Sequence, residues 1–311
     1  VPSIAGILSK IMYVNSDAMR IANGVEAMDQ ILAEPELKQP PVPKTTDRYD
    51  VKFENVSFSY EKDKEKQAIS NVSFHARQGE VTAIVGPSGG GKSTIAHLIP
   101  RFFDVDQGTV TIGSVDIRQM ESRYLMEQVS FVFQDVYLFK QSIRDNIRLG
   151  NQNASDEQIQ AAAKAAQCHD FIIALPNGYD TIIGEQGIHL SGGEQQMTLI
   201  ARALVQEPEF IMMDEPTSNL DYGNQIQVLK RVVELKNSGK GVVMITHSPD
   251  QAFLCADEAV LFFRDGSVVS GEVRDVLTEE NISRLYGVEI EIDTGKNRDG
   301  AASAWCRPGS R

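Results

Sequence analysis

Gly86-Pro87-Ser88-Gly89-Gly90-Gly91-Lys92-Ser93 carries the spacing G-x-x-x-x-G-K-[ST], and Thr94 follows it. Glycines let successive backbone N–H groups curl around an anion, and a helix starting there adds its dipole. The chemistry implied is nucleotide binding, with Lys92 reaching the outer phosphates and Ser93 ligating Mg2+. Two acids, Asp214 and Glu215, end the apolar run 210–213. A carboxylate at the end of a strand suits Mg2+, directly or through water, and its neighbour can polarise a water as general base. Between these pieces lies Leu190-Ser191-Gly192-Gly193-Glu194-Gln195. Ser191 with Glu194 three residues on is a helix-capping pair, and the two glycines keep that helix start bare enough for a phosphate to approach.

The elements that must position these groups follow from periodicity. Residues 51–53, 56–60 and 72–75 read as short strands, and 81–85 as a buried strand ending at Gly86. A helix is expected over 93–99. Residues 155–174 turn helical behind a Ser155/Gln158 capping box. A helix then follows Leu190, with strand 210–213, helix 226–235 and strand 241–246 after it. Strands alternating with helices argue for an α/β domain with a mostly parallel core sheet. At the front, apolar residues from Ile4 to Leu32 recur at helical spacing, and Pro40-Pro41-Val42-Pro43 reads as a stiff linker. Residues 294–311, poor in aliphatics and carrying Trp305, read as a disordered tail. The expected division is 1–46, 47–293 and 294–311.

Composition narrows the classes. With 41% apolar residues in 311, the chain can bury a core without disulfides. Cys168, Cys255 and Cys306 are scattered in no zinc-type spacing, so a reduced cytosolic setting is expected. A net charge of −13 disfavours nucleic acid as a partner, since phosphate-backbone affinity comes mainly from Lys and Arg. No stretch approaches the roughly 18 apolar residues of a spanning helix, and no signal peptide is read. Opening on Val1, the chain reads as processed or partial.

Together, the phosphate loop, the Leu190–Gln195 hexapeptide and the Asp214-Glu215 strand end resemble the ATP-binding-cassette ATPases. The resemblance covers about residues 47–293. It implies a P-loop NTPase fold with an antiparallel β subdomain and a helical signature subdomain near 135–205. It implies ATP and Mg2+ as ligands, a second cassette paired head to tail, and permease domains at the cytoplasmic face of the inner membrane. In such a pair the signature of one copy closes over the γ-phosphate held by the other. By the same resemblance, Tyr60 is the aromatic that stacks on adenine. Gln134 is the glutamine that contacts Mg2+ and water and leads into the membrane-facing segment. Ser218-Asn219-Leu220-Asp221 is the segment crossing the dimer interface, and His247 is the γ-phosphate sensor. The catalytic set is thus Lys92, Gln134, Glu215 and His247, and the Mg2+ set is Ser93, Gln134 and Asp214. His75, His97, His169 and His189 are read as bland.

Two styles are visible within the resemblance. Through residue 190 the chain resembles exporter-fold cassettes, those linked to siderophores in particular, on Leu98-Ile99-Pro100-Arg101-Phe102, Phe131-Val132-Phe133-Gln134-Asp135 and Ser142-Ile143-Arg144-Asp145-Asn146-Ile147. The front helix then resembles the end of a last membrane helix. From 191 to 293 it is similar to the separate ATPases of iron–siderophore and cobalamin importers, on Thr217-Ser218-Asn219-Leu220-Asp221-Tyr222-Gly223-Asn224 and Leu285-Tyr286-Gly287-Val288. The reading is a hybrid joined near 190–196, leaning toward iron-chelate traffic. A soluble cassette for DNA repair or translation and a nucleotide-binding but inactive fragment are the alternatives. The interval from Lys92 to Ser191 is too short for a long coiled coil, and one cassette is present where translation factors carry two.

Overall fold

The computed structural model describes residues 18–26, 28–29, 32–33, 37–60, 67–135, 137–184, 188–296 and 302–309. It forms two units, Val1–Lys38 and Gln39–Arg311. In the first, residues 18–26, 28–29 and 32–33 are helical (α1), with Met19, Ile21, Val25, Met28 and Leu32 exposed. The part of the expected front helix before residue 18 lies outside the described residues. The unit boundary precedes the proline run, where the expected division put it behind. Gln39 bonds the side chain of Ser122, and Lys44 N–H donates to the Gln119 carbonyl, so this stretch is tied to the second unit.

The second unit is built on two larger sheets. Strands β1 (Val51–Phe58), β2 (Ile69–Ala76), β4 (Gln107–Ile112) and β5 (Val115–Asp116) form an antiparallel sheet in the order β2-β1-β4-β5. The expected strands 51–53 and 56–60 are one strand whose register shifts near Asn55, which sits at φ 51. A left-handed residue inside an otherwise extended run looks like a turn in sequence but acts as a bulge here. The second sheet has the order β10-β9-β3-β8-β7-β6, with β3 (Val81–Val85), β6 (Val129–Val132), β7 (Phe210–Asp214), β8 (Gly241–Thr246) and β9 (Glu258–Phe262) parallel, and β10 (Val268–Glu272) antiparallel at the edge.

The parallel strands are apolar on both faces because both are covered. Phe210, Met212, Val243 and Ile245 point into the core shared with the antiparallel sheet. Ile211, Met213, Val242 and Met244 point into a core shared with the helices. Those helices include α4 (Ile143–Arg148), α5 (Asp156–Ala165), α6 (His169–Ala174), α7 (Gly192–Leu204) and α8 (Tyr222–Asn237). The Ser155/Gln158 capping box forms as read, but the single helix expected over 155–174 breaks at Gln167, at φ 54.

The described residues of the stretch expected as a disordered tail are mostly extended. Residues 290–296 and 302–308 form an antiparallel pair of β11 (Ile290–Lys296) and β12 (Ala302–Pro308) in continuous register. Its β12 packs on α9 (Pro249–Cys255), where Cys306 N–H donates to Asp250 Oδ1 at 2.7 Å. Composition concealed this because tertiary contact with α9 gives β12 a partner that local sequence does not show. No described helix is long and apolar enough to cross a membrane.

Candidate functional site: a nucleotide-phosphate centre

The loop Gly86–Gly91 leaves the C-terminal end of β3 and opens directly into α2 (Lys92–Leu98). Within it, Gly90 N–H turns back to the Pro87 carbonyl at 3.3 Å, and Ser88 and Gly89 form the exposed crest. Gly91 must be glycine: its φ is 91, and an added Cβ would stand 2.7 Å from the Ala68 carbonyl oxygen. The loop is thereby pressed against the end of β2. Lys92 is 5% exposed, and its Nζ donates to the Pro87 carbonyl at 2.8 Å. Burial lowers its pKa from the ordinary lysine value, and the nearby Glu215 and Asp214 carboxylates counter that shift. An ammonium held inside the curl of its own loop is a ready partner for phosphate oxygens.

Asp214 ends β7, which is in register with Ile245 of β8. Burial raises its pKa above the usual carboxylate range, and a hydrogen bond from Ser93 with the charge of Lys92 opposes this. A half-buried carboxylate beside the Ser93 hydroxyl is an oxygen pair that fits Mg2+, while the Lys92 ammonium next to it suits phosphate oxygens. Among the described residues no three His, Cys, Asp or Glu side chains cluster to hold a metal by themselves, so nucleotide oxygens or water must complete the shell. Because its folded pKa is raised, Asp214 favours the metal-free fold at acid pH, and that contribution is lost as pH rises through the folded pKa. Asp214→Asn is therefore expected to raise the neutral-pH Tm of the Mg2+-free protein by about 2–4 °C while weakening Mg·ATP binding. Scanning calorimetry with and without Mg·ATP checks this; a lowered Tm in the free protein would refute it.

Glu215 sits at φ 45, in the left-handed region, with its N–H donating to the Ile245 carbonyl at 3.0 Å. A non-glycine residue there costs roughly 1–2 kcal/mol, and the bend turns the side chain out of the strand plane. Its Oε2 lies 3.3 Å from Gln134 Nε2 and 3.4 Å from His247 Nδ1, a contact that becomes an ion pair when the ring is protonated. Gln134 follows β6 and His247 follows β8, so three neighbouring strand ends bring their polar side chains to one carboxylate. Gln134, Glu215 and His247, expected in one catalytic set, are thus brought together.

Tyr60 is half exposed, edge-on to Phe58 and Phe103, with its hydroxyl 3.3 Å from Thr94 Oγ1 and 3.2 Å from His97 Nδ1. Sequence reading dismissed His97, yet it shares α2 with Lys92, and its place five residues on in the helix was the available signal. The aromatic set Tyr60, Phe103 and His97 therefore borders the phosphate loop.

Ser191 and Glu194 form the reciprocal capping box of α7 as read. The glycines differ from expectation. Gly192 is exposed, whereas Gly193 is buried, and an added Cβ there would lie 2.5 Å from Asn224 Oδ1. Asn224 is held by Asp221 Oδ2 at 2.7 Å, so the bare Gly193 also admits the start of α8. Gly193→Ala is expected to cost about 1–3 kcal/mol by overpacking, read as a lowered Tm; an unchanged Tm would mean that Asn224 swings aside. The Ser191–Glu194 helix start thus borders the 219–224 segment, and no hydrogen bond joins it to the Gly86–Thr94 loop among the described residues.

A phosphate loop after β3 of a parallel sheet, with two acids at the end of β7, beyond the intervening β8, defines a P-loop nucleotide-binding ATPase fold. Residues 69–218 match the family model for the ABC transporter, and the chain belongs to that family as a nucleotide-binding domain. It is 46% identical over 247 residues to a Bacillus subtilis protein named for multidrug export, the ATP-binding/permease protein YgaD, a match covering 77% of this chain and 41% of that protein. It is 38% identical over 247 residues to the β-(1→2)glucan export ATP-binding/permease protein NdvA of Brucella suis, covering 78% of this chain and 40% of the relative. Among solved structures, a bacterial Atm1-family ABC exporter with ATP bound is similar at TM-score 0.72 and 34% identity, over 86% of this chain and 46% of that one. The chain spans about two fifths of the length of these curated relatives. A match covering 77% of the chain necessarily runs through residue 190, so exporter similarity is not confined to the first part. The two-parent division is not reproduced, and the leaning toward iron–siderophore traffic finds no support and is set aside.

Proposed function

We propose that this chain binds and hydrolyses Mg·ATP as the energy-supplying cassette of an exporter, paired head to tail with a second cassette and seated on permease domains at the cytoplasmic membrane face. The observation that carries this is the convergence of Gln134 and His247 on the Glu215 carboxylate, beside the buried Lys92. In this reading Lys92 and the loop amides hold the triphosphate, and Tyr60 lies against the base. Ser93, Asp214 and Gln134 would hold Mg2+, which supplies charge neutralisation to the phosphates when bound. Glu215 accepts the proton of the attacking water, and His247 and Gln134 orient the carboxylate. The nucleophile is water, the bond broken is the phosphoanhydride between the γ-phosphorus and the β–γ bridging oxygen, ADP leaves with that oxygen, and the water's proton passes to Glu215. The Ser191–Glu194 helix start, bordered by the 219–224 segment of its own chain, is assigned to the partner cassette's γ-phosphate. Cargo selection is assigned to the permease.

The test is Mg2+-dependent phosphate release measured against protein concentration. Activity rising more steeply than linearly is expected. A strictly linear dependence would overturn pairing, and bound ATP without release would overturn hydrolysis.

A further inference from the structure

Two buried threonines flank the carboxylate and the imidazole. Thr217 lies just past Glu215 and is 4% exposed, while Thr246 immediately precedes His247 and is 2% exposed. Their hydroxyls converge on one atom. Gln251 Oε1, from the first turn of α9, accepts from Thr217 Oγ1 at 2.9 Å and from Thr246 Oγ1 at 2.8 Å. Thr246 Oγ1 also accepts from Ser248 N–H at 3.1 Å, so its acceptor side is engaged with the switch segment while its proton goes to Gln251. An amide oxygen has two lone pairs, and here both are used.

This node completes a bracket. Toward the strands, Glu215 N–H is tied to the Ile245 carbonyl at 3.0 Å. Away from them, Gln251 ties the residue after the Glu215 turn to the residue before His247. The left-handed backbone of Glu215 persists only if its surroundings over-determine it, and the His247 ring, with its side chain 60% exposed, has little packing to fix it. A second clamp holds the same segment, since the Tyr286 hydroxyl donates to the His247 carbonyl at 2.6 Å. We propose that Gln251 is a positioning residue for hydrolysis: by joining Thr217 to Thr246 it sets the distance between the Glu215 carboxylate and the His247 ring. It acts through these two side chains and touches neither phosphate nor Mg2+. The proposal rests on the reading of Glu215 as general base.

The distinction from a merely structural glutamine is measurable. Removing the acceptor should lower turnover and leave nucleotide affinity alone, because the Gly86–Thr94 loop is anchored on β3 and β2. The full chain is compared with Gln251→Met, which keeps length without an acceptor, and with Gln251→Glu, which keeps two acceptor sites. Thr217→Val and Thr246→Val remove one donor each at nearly constant volume, and Thr217→Val replaces Gln251→Met if that variant fails to fold. Three quantities are read: kcat, ATP dissociation constant, and the His247 ring signals in nucleotide-free, histidine-labelled protein by NMR, assigned with His247→Asn. Gln251→Met is expected to lose about tenfold in kcat with the ATP Kd within twofold. Its His247 ring signals should move by more than a linewidth, and Gln251→Glu should restore most of both. Ring signals that superimpose on wild type overturn the proposal. So does an active protein whose kcat is unchanged, or a Kd that rises in step with the loss of kcat. A wild-type chain that binds ATP without cleaving it would refute the ATPase reading, while the ring signals still decide whether Gln251 positions His247.

Discussion

Glu215→Gln is expected to cut phosphate release by about 10²–10³-fold while ATP stays bound. The substitution keeps the side chain's length and an oxygen that Gln134 Nε2 can still reach. It removes the charge that attracts the water's proton and that faces the His247 ring. Binding should survive because the triphosphate is assigned to the loop at the end of β3, on a different strand from the carboxylate. With ATP held and not cleaved, paired chains should accumulate. Sedimentation of the variant with Mg·ATP should therefore show a dimer where the wild type, turning over, shows mostly monomer. Wild-type turnover in this variant would remove Glu215 from the role of base and leave the strand-end convergence without a chemical purpose.

Lys92→Ala should abolish useful nucleotide binding. The ammonium is buried and committed to the Pro87 carbonyl, so the loop already carries a desolvated cation aimed at its own concavity. Charge-assisted bonds to phosphate oxygens are about twice as strong as neutral ones. Losing them should weaken ATP by about 100-fold or more, roughly 3 kcal/mol, in a fluorescent-nucleotide titration. Circular dichroism should show the fold retained. The pH dependence has a definite sign. Burial lowers the Lys92 pKa, so the ammonium needed by the phosphates is lost at a less alkaline pH than for an ordinary lysine. ATP affinity should fall as pH rises through that lowered value. The free fold moves the other way, gaining stability as the buried charge is discharged. Lys92→Arg, which keeps its charge at every accessible pH, should lack the alkaline loss of affinity. If Lys92→Ala bound ATP as well as wild type, the phosphate-loop assignment would fail.

What could be read without coordinates was what depends on local spacing. The loop from Gly86 to Ser93, the capping boxes at Ser155 and Ser191, and the doubly buried strands over 81–85, 210–214 and 241–246 all leave a signature within a few residues. What stayed hidden depends on contacts between distant segments. That Gly193 must also make room for Asn224 shows only once the two segments are seen packed together. His97 looks incidental until Tyr60, from another sheet, is seen to reach it. Gln251 carries no motif, and its role emerges only where two threonines from different strand ends meet its amide. The β11–β12 pair is unremarkable in composition because its second strand takes its support from α9.

That strand pair has a practical consequence. It places Trp305, the chain's one tryptophan, against a groove shared with Tyr222, Ser248, Gln251 and Leu254. The indole is 45% exposed there, poised between wet and dry surroundings. Its emission wavelength is thus a native optical gauge: any rearrangement of the groove wall when nucleotide arrives should register as a spectral displacement, with no dye attached.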